Sequence, residues 1–401
     1  MSGLSYLVIA RLFFAGALCL FGDAIAADQN VKTANVAGSE AFDIQVVLGF
    51  SNTYRLGAWT PLSVIVTNHD QHVSAEIEVQ ISRGNELEGS AFNTTYLRNL
   101  TLSKNARKQF RFTVLLDNFA KPLVVRVSKA GQEIARRSLD LRRHFTESKL
   151  IVVLSRDADL DYLNHSSPDP VRVVYPHPEL LPVKWQGYDG VSGVVVHGQT
   201  LERLSKHQYE ALRKWLIQGG NLVVSGSPDY SLLRTPRLSA LLPAKPVGLV
   251  AMIDGEGLGT AFGLPLTANK PFVINRVDKL RGTTTHQFED IPLLLERDYG
   301  MGTVSYFTFD VAAYPFDRWS GMASLWSKAF NLSAIDRGSV ALHQSPDSPI
   351  PSMLDGPNRG FPDHLVVFTF LIIYLGVLKF GYQNRTTKGS MRRLSRALAW
   401  L

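Results

Sequence analysis

The chain has 401 residues, of which 45% are hydrophobic and 19% charged, a balance that excludes an intrinsically disordered chain and a polytopic membrane protein. A formal charge of +7 and a pI of about 9.4 leave anionic partners open, such as lipid headgroups or acidic envelope polymers. We expect no nucleic-acid partner, because several of the positive charges lie in the C-terminal tail, where a membrane surface explains them better.

The N-terminus has the pattern of a secretory signal peptide, which we place at 1–26. Arg11 precedes the apolar run Leu12–Phe21, and Ala24-Ile25-Ala26 provides the small residues that signal peptidase requires. An uncleaved anchor is the alternative, but the run is short for a bilayer span of about 20 residues. We therefore expect cleavage after Ala26 and an exported mature chain.

The single cysteine, Cys19, lies within this segment. Its removal leaves no disulfide, no cysteine nucleophile and no thiolate metal ligand. Because eukaryotic secreted domains of this size usually carry disulfides, we predict a bacterial envelope protein whose bulk lies in the periplasm.

Residues 42–143 have the pattern of an all-β domain. Ile77, Val79 and Ile81 alternate with polar residues, as in a strand with one buried face. Short strands at roughly ten-residue spacing predict an immunoglobulin-like β-sandwich. The predicted strands are Phe42–Leu48, Pro61–Thr67, Glu76–Ser82, Tyr96–Leu102, Gln109–Leu115, Leu123–Ser128 and Glu133–Leu141.

The sequence pattern changes after the all-β part, and residues 149–342 have the pattern of an α/β domain. Three continuous apolar runs are typical of strands buried on both faces: Leu150–Leu154, Val194–Val196 and Leu222–Val224. Between the last two, Ser205 and Gln208 have the spacing of a capping box, and Gly219-Gly220 ends the predicted helix. Strand, helix and strand in this order form a βαβ unit, which predicts a largely parallel sheet.

The C-terminal part predicts a linker, one transmembrane helix and a cytoplasmic tail. Residues 343–363 hold five prolines and form the linker, and the apolar stretch at 364–382 is long enough for a bilayer span. The tail at 383–401 is basic and has no acidic residue, which places it in the cytoplasm. A buried core helix is the alternative interpretation of 364–382. We expect a single-pass membrane protein.

Five stretches carry a resemblance to a known family: Leu181–Asp189, Gly193–Gly198, Leu204–Gly220, Asn221–Gly226 and Arg297–Asp310. There the chain resembles the class I glutamine amidotransferase-like fold. With the predicted signal peptide, sandwich and membrane segment, the order of parts is similar to a group of bacterial membrane-anchored proteins that use this fold as an exported domain. The resemblance implies a flavodoxin-like or amidotransferase-like α/β domain over 149–342.

The resemblance also implies a loss of chemistry. True class I amidotransferases place a cysteine on a glycine-rich turn after a central strand and pair it with a histidine. At the comparable place this chain has Ser225-Gly226-Ser227, and its predicted mature part has no cysteine. We therefore expect no glutamine hydrolysis and no cofactor. The resemblance assigns no catalytic residue to this chain.

The candidate ligand-binding residues lie where predicted strands end. In open α/β sheets, ligands bind beyond the carboxyl ends of the strands, which here carry Asp157, His197, Ser227 and Asp310. A hydrolytic triad with Ser227 is one alternative, although Ser227 is not in a Gly-x-Ser-x-Gly turn. Ordinary turn and capping residues are the other alternative.

Two further patterns predict no site. His69 and His72 fall in a predicted hairpin loop without another evident ligand, so we expect no metal. Gly255–Gly259 resembles part of a dinucleotide-binding sequence, but Phe262–Pro265 breaks a following helix, so we predict a loop.

The sequence therefore predicts a membrane-anchored extracytoplasmic interaction or scaffold protein without enzymatic activity, held next to envelope or membrane protein partners. Two alternatives stay open. One is an envelope hydrolase acting on a glycan or peptide. The other is a ligand sensor that signals through the membrane helix.

Overall fold

The computed structural model describes the following residues: 41–84, 91–166, 170–253, 255–330 and 374–375. The chain divides into two compact units, Met1–Gly338 and Ser339–Leu401. The strands and helices named below lie in the first unit. In the second, the structure describes Tyr374 and Leu375, both exposed.

The first part of the larger unit is a sandwich of two antiparallel sheets. Its strands are β1 Phe42–Leu48, β2 Ala58–Asn68, β3 Val73–Arg83, β4 Phe92–Leu102, β5 Arg107–Leu116, β6 Leu123–Lys129 and β7 Gln132–Leu139. One sheet has the order β1-β2-β5 and the other β4-β3-β6-β7. Ile77, Val79 and Ile81 are fully buried between the sheets, because side chains alternate across a strand.

The predicted strands of the sandwich are present, but β2, β3, β4 and β5 begin two to four residues earlier than predicted. Strand β2 begins at Ala58, three residues before the predicted start at Pro61, and it includes this proline although proline has no N–H to donate. In the structure the pairing of β1 with β2 ends opposite Leu62. No backbone hydrogen bond between these two strands therefore needs an N–H from Pro61. The first residues of β4 are mostly polar and exposed, yet the strand pairs with β3 from Phe92 onwards.

The second part is an α/β domain on a seven-stranded sheet of order β14-β15-β16-β11-β10-β8-β9. These strands are β8 Lys149–Leu154, β9 Val171–Val174, β10 Val191–Val196, β11 Asn221–Val224, β14 Thr283–Phe288, β15 Ile291–Tyr299 and β16 Gly302–Phe307. The sheet is parallel from β9 to β16, and β15 and β14 continue it antiparallel.

A separate two-stranded sheet and five helices complete the domain. The pair joins β12 Lys245–Met252 with β13 Phe272–Asp278. The helices of the described residues are α1 Leu163–Ser166, α2 Lys206–Ile217, α3 Pro236–Leu241, α4 Glu256–Phe262 and α5 Gly321–Ala329.

The central sheet has a hydrophobic core on each face. Alternate residues of β8 enter different clusters: Val152 packs in the cluster that contains residues of α2, and Val153 in the cluster that contains residues of α5. Both side chains are buried. The continuous apolar run of β8 is therefore explained, because neither face of the strand reaches water.

Helix α2 begins with the predicted capping box. The Ser205 hydroxyl accepts from Gln208 N at 3.3 Å, and Gln208 Oε1 accepts from Ser205 N at 3.0 Å. Gly219 follows the helix with φ +112°, a conformation that favours glycine. The predicted unit of β10, α2 and β11 is present, with β10 and β11 parallel.

The loop predicted at Gly255–Gly259 is wrong. Glu256–Phe262 forms helix α4, and Gly263 ends it in the left-handed region with φ +72°. Residues 262–265 end this helix and do not keep it from forming, because a glycine in the left-handed region commonly follows the last residue of a helix.

The predicted fold class is wrong, because it included a transmembrane helix at 364–382. None of the helices that the structure describes is long and apolar enough to cross a membrane. Helix α2, the longest of them, has 12 residues and is about 18 Å long, whereas a span needs about 30 Å. Apart from Tyr374 and Leu375, residues 364–382 lie outside the described part of the chain.

The other targeting predictions fall on residues that the structure does not describe. These are the signal peptide at 1–26, the linker at 343–363 and the tail at 383–401. The described architecture is a mixed α/β molecule with several sheets.

The order of the parallel strands defines a switch point. The five parallel strands are β8, β9, β10, β11 and β16. Numbered one to five in this chain order, they lie side by side in the sheet in the order 2-1-3-4-5. This is the strand order of flavodoxin-like sheets, and the direction of winding reverses between the first and third strands. The carboxyl ends of β8 and β10 therefore flank the place where such sheets bind ligands.

We expect Leu212→Ala to lower the free energy of unfolding by about 2–5 kcal/mol, because it empties a fully buried position between α2 and the sheet. Equilibrium urea unfolding followed by circular dichroism measures the change. Lys214→Ala is the matched control, since Lys214 lies exposed on the same helix. Equal effects of the two substitutions would contradict the described packing.

Candidate functional site

Three loops meet at the switch point, and each contributes one ionisable side chain. Asp159 lies in the loop after β8, His197 follows the last residue of β10, and Asp310 lies in the loop after β16. Asp159 and His197 follow β8 and β10, the two strands that flank the switch point. We call these three residues the switch-point cluster.

His197 is held between the two carboxylates. Its Nδ1 lies 2.5 Å from Asp159 Oδ2, and its Nε2 lies 2.8 Å from Asp310 Oδ1. The residue is 8% exposed. A carboxylate accepts hydrogen bonds and a neutral imidazole has only one N–H, so both contacts are satisfied only by the protonated ring.

The environment keeps His197 in its charged form at neutral pH. Burial alone would lower its pKa, but the hydrogen bonds to Asp159 and Asp310, together with their negative charges, outweigh that effect. The pKa of His197 is raised from 6.5 to about 9. The imidazolium is therefore the form present at physiological pH, and it has no lone pair to accept a proton.

Ser155 completes an arrangement that resembles a catalytic triad only in part. Its hydroxyl lies 3.4 Å from His197 Nδ1, and Asp310 contacts the opposite nitrogen. The hydroxyl also donates to Asp159 Oδ2 at 3.2 Å. A triad needs a neutral imidazole that takes the serine proton, whereas Asp159 already occupies Nδ1 and the ring is charged.

The loop after β16 is fixed to its neighbours. Ala312 N donates to Asp310 Oδ1 at 3.0 Å. Val311 N donates to Ser225 Oγ at 3.1 Å, which joins this loop to the end of β11. In Asp159 one carboxylate oxygen, Oδ1, is buried and has no hydrogen-bond partner among the described residues. Asp310 is thus firmly positioned, and Asp159 depends on His197 and Ser155.

The structure brings together two of the four residues predicted from sequence. His197 and Asp310 are in contact, but Asp157 is exposed and its backbone N–H contacts Ser155 Oγ at 3.4 Å. Ser227 contacts Asn275 and Asp229 instead: its N–H donates to Asn275 Oδ1 at 3.1 Å, and its hydroxyl accepts from Asp229 N at 3.2 Å.

Sequence reasoning missed Asp159. The only signal was its position, since Asp157 and Asp159 both follow β8 at a distance suited to a strand-end site. In the structure Leu160 N donates to the Tyr175 hydroxyl at 2.9 Å, and Leu160 is fully buried. This anchor directs the adjacent Asp159 inward and leaves Asp157 in solvent.

The turn after β11 cannot present a nucleophile in the way an amidotransferase does. Ser225 is buried, and its hydroxyl donates to Gly226 O at 3.0 Å and accepts from Val311 N. A Cβ on Gly226 would lie 2.6 Å from the backbone of Thr308, so only glycine fits there. The Ser225 hydroxyl is therefore buried against the next loop, whereas Ser227 is partly exposed.

The described residues contain no group of three or more histidine, cysteine or acidic side chains arranged to hold a metal ion. The switch-point cluster has one imidazole whose two nitrogens both face carboxylates, so neither nitrogen is free to act as a metal ligand.

The sandwich is similar to one domain family. Residues 41–142 match the Domain of unknown function DUF8726. No curated protein sequence matches the chain.

Solved structures show weak similarity only. The cytoplasmic protein STM1381 from Salmonella typhimurium LT2 is 14% identical, with a TM-score of 0.36 over 46% of this chain and 98% of that one. The exo-beta-1,4-mannosidase Op5Man5 from Opitutaceae bacterium strain TAV5 is 18% identical, with a TM-score of 0.31 over 45% of this chain and 36% of that one. At these TM-scores neither similarity indicates a function.

We expect the free energy of unfolding to fall as the pH rises from about 6.5 to about 9. The pKa of His197 is raised from 6.5 to about 9, so its stabilisation is complete below pH 6.5 and is lost as the pH passes 9. The shift corresponds to about 3 kcal/mol. Urea unfolding at a series of pH values measures the profile.

His197→Gln should remove this fall, because the variant has no imidazole to titrate. His207→Gln is the matched control, since His207 lies exposed on α2, and it should keep the wild-type profile. A profile of His197→Gln that parallels the wild type would show that the cluster does not hold a charged histidine.

Proposed function

We propose that this chain is a non-enzymatic interaction module whose α/β part is a catalytically degenerate amidotransferase-like domain. The observation that carries the proposal is the ion pairing of His197 with Asp159 and Asp310 at the switch point. In related strand orders this place binds ligands or performs chemistry. Here charged side chains of the chain itself occupy it, and the one histidine is protonated at neutral pH.

The exposed edge strand of the sandwich supports the proposal that the chain binds another protein. Strand β4 ends its sheet, so none of the described strands pairs with its outer side. It is 11 residues long, and Phe92 and Leu97 are 54% and 55% exposed. Long edge strands with exposed apolar side chains and little charge accept an extended segment of another protein as an added strand.

A hydrolase is the second candidate, because Ser155, His197 and Asp310 lie in contact. The contact from Ser155 Oγ to His197 Nδ1 is 3.4 Å, within reach of a proton transfer after a small movement. The raised pKa of His197 weighs against this function, since the general base of such a triad must be neutral.

A fluorophosphonate probe distinguishes the two candidates, because it labels serines that are activated by a neutral histidine. We expect no labelling of the wild-type chain at pH 7.5 and no hydrolysis of activated esters. Ser155→Ala and Ser227→Ala should then behave like the wild type. Labelling that is lost in Ser155→Ala and kept in Ser227→Ala would establish the hydrolase and refute the proposal.

Crosslinking in the native cell tests the interaction directly. We expect a partner to co-purify in amounts near equal to the full-length chain, and Leu97→Asp to reduce its capture about 10-fold, as loss of an apolar anchor does at other interfaces. Asn99→Asp is the matched control, since it adds the same charge to an exposed position of β4. Unchanged capture in Leu97→Asp, or no partner at all, would contradict an interaction through β4, and equal loss in both variants would contradict the role of Leu97 as an apolar anchor.

A further inference from the structure

A second concave site lies where the sandwich meets the α/β domain. A cavity of about 140 Å³ is lined by residues of β2, β4 and β5 on one side and by 180–184 on the other. We call it the junction groove. An enclosed apolar cavity of about 150 Å³ holds one benzene molecule. The groove is therefore suited to a small ligand rather than to a whole chain.

The lining of the groove is positively charged. Arg98, Arg111 and Lys184 line it, and no lining residue is acidic. In the part of the chain that the structure describes, none of these three cations forms an ion pair with a carboxylate. Cations that converge on a concave surface without internal partners favour an anionic ligand.

The two guanidinium groups are positioned by neutral contacts. Arg111 donates to Gln109 Oε1 at 2.9 Å and to the backbone oxygen of Glu179 at 3.1 Å. Arg98 donates to Leu97 O at 3.1 Å, and its guanidinium lies 5.8 Å from the centre of the Phe112 ring. These contacts leave the charges unneutralised, and planar guanidinium groups match the geometry of a carboxylate.

The groove also offers an aromatic surface and a hydroxyl. Tyr96 is partly buried and packs edge-on against Phe112, with ring centroids 6.5 Å apart. Ser63 accepts from Gln109 Nε2 at 3.0 Å. An apolar ring face beside hydrogen-bonding groups suits a sugar, which presents C–H groups on one side and hydroxyl groups at its edge.

The wall formed by 180–184 is held rigidly. The buried Gln208 of the capping box donates to Pro178 O at 2.7 Å and to Leu181 O at 3.1 Å. At Gly187, an added Cβ would lie 2.7 Å from Pro182. A wall fixed before binding loses little conformational entropy when a ligand arrives, so even a small site can bind usefully.

We propose that the junction groove binds an acidic sugar, a single pyranose ring that carries a carboxylate. The carboxylate is paired by Arg98 and Arg111, Lys184 adds charge from the opposite wall, and the ring packs on Tyr96. The proposal does not depend on the lack of catalysis at the switch point, because the two sites share no residue.

Isothermal titration calorimetry of the full-length chain with glucuronate tests the proposal. We expect glucuronate to bind and glucose not to bind, and Arg111→Gln to weaken glucuronate binding about tenfold or more through loss of a charged hydrogen bond. Lys184→Gln tests the opposite wall and should also weaken binding. Arg107→Gln, exposed on β5 outside the groove, should leave it unchanged.

Other probes identify the source of the sugar or overturn the proposal. Tighter binding of a galacturonate oligomer than of glucuronate would indicate the end of an acidic polysaccharide, and the reverse would indicate a free monosaccharide. Absence of glucuronate binding, equal binding of glucose or inorganic phosphate, or unchanged binding in both folded groove variants would overturn it. Circular dichroism shows whether the variants are folded.

Discussion

The pairing of one imidazolium with two carboxylates holds the carboxyl edge of the central sheet together. Asp159, His197 and Asp310 come from loops after three different strands, and only the charged histidine satisfies both neighbours. Removing such a charge from water is unfavourable unless partners replace the lost hydration. Here the partners are present at 2.5 and 2.8 Å. Without His197, the carboxylates of Asp159 and Asp310 would both be left as unpaired charges.

This constraint distinguishes the α/β domain from the sandwich. The α/β domain keeps the strand order of a ligand-binding sheet, but its switch point is filled by its own side chains and its glycine-rich turn at Ser225 is packed against Val311. We propose that other molecules bind on the sandwich side, at the edge strand β4 and the junction groove. Tyr96 and Arg98 of β4 line the groove, so the two features are adjacent.

Local patterns predicted much of the fold, whereas the site depended on loop paths that no pattern contains. The apolar run of β8 and the capping box of α2 follow from short-range rules, and both are present. Asp157 and Asp159 are equivalent by sequence. Their difference arises from Leu160 and Tyr175, which meet only after the chain has folded. The transmembrane prediction rested on the length and composition of 364–382 and on the basic residues that follow, and none of these tests whether the segment forms one continuous helix.

The protonation state of His197 is the most direct test of this account. Nitrogen NMR of the chain labelled at histidine, with His197→Gln to assign the signal, reports how many ring nitrogens carry a proton. We predict that both nitrogens of His197 are protonated at pH 7.5, as the two carboxylate contacts require. A neutral ring with one bare nitrogen at that pH would contradict the account, and it would leave a base beside Ser155 as a working hydrolase requires.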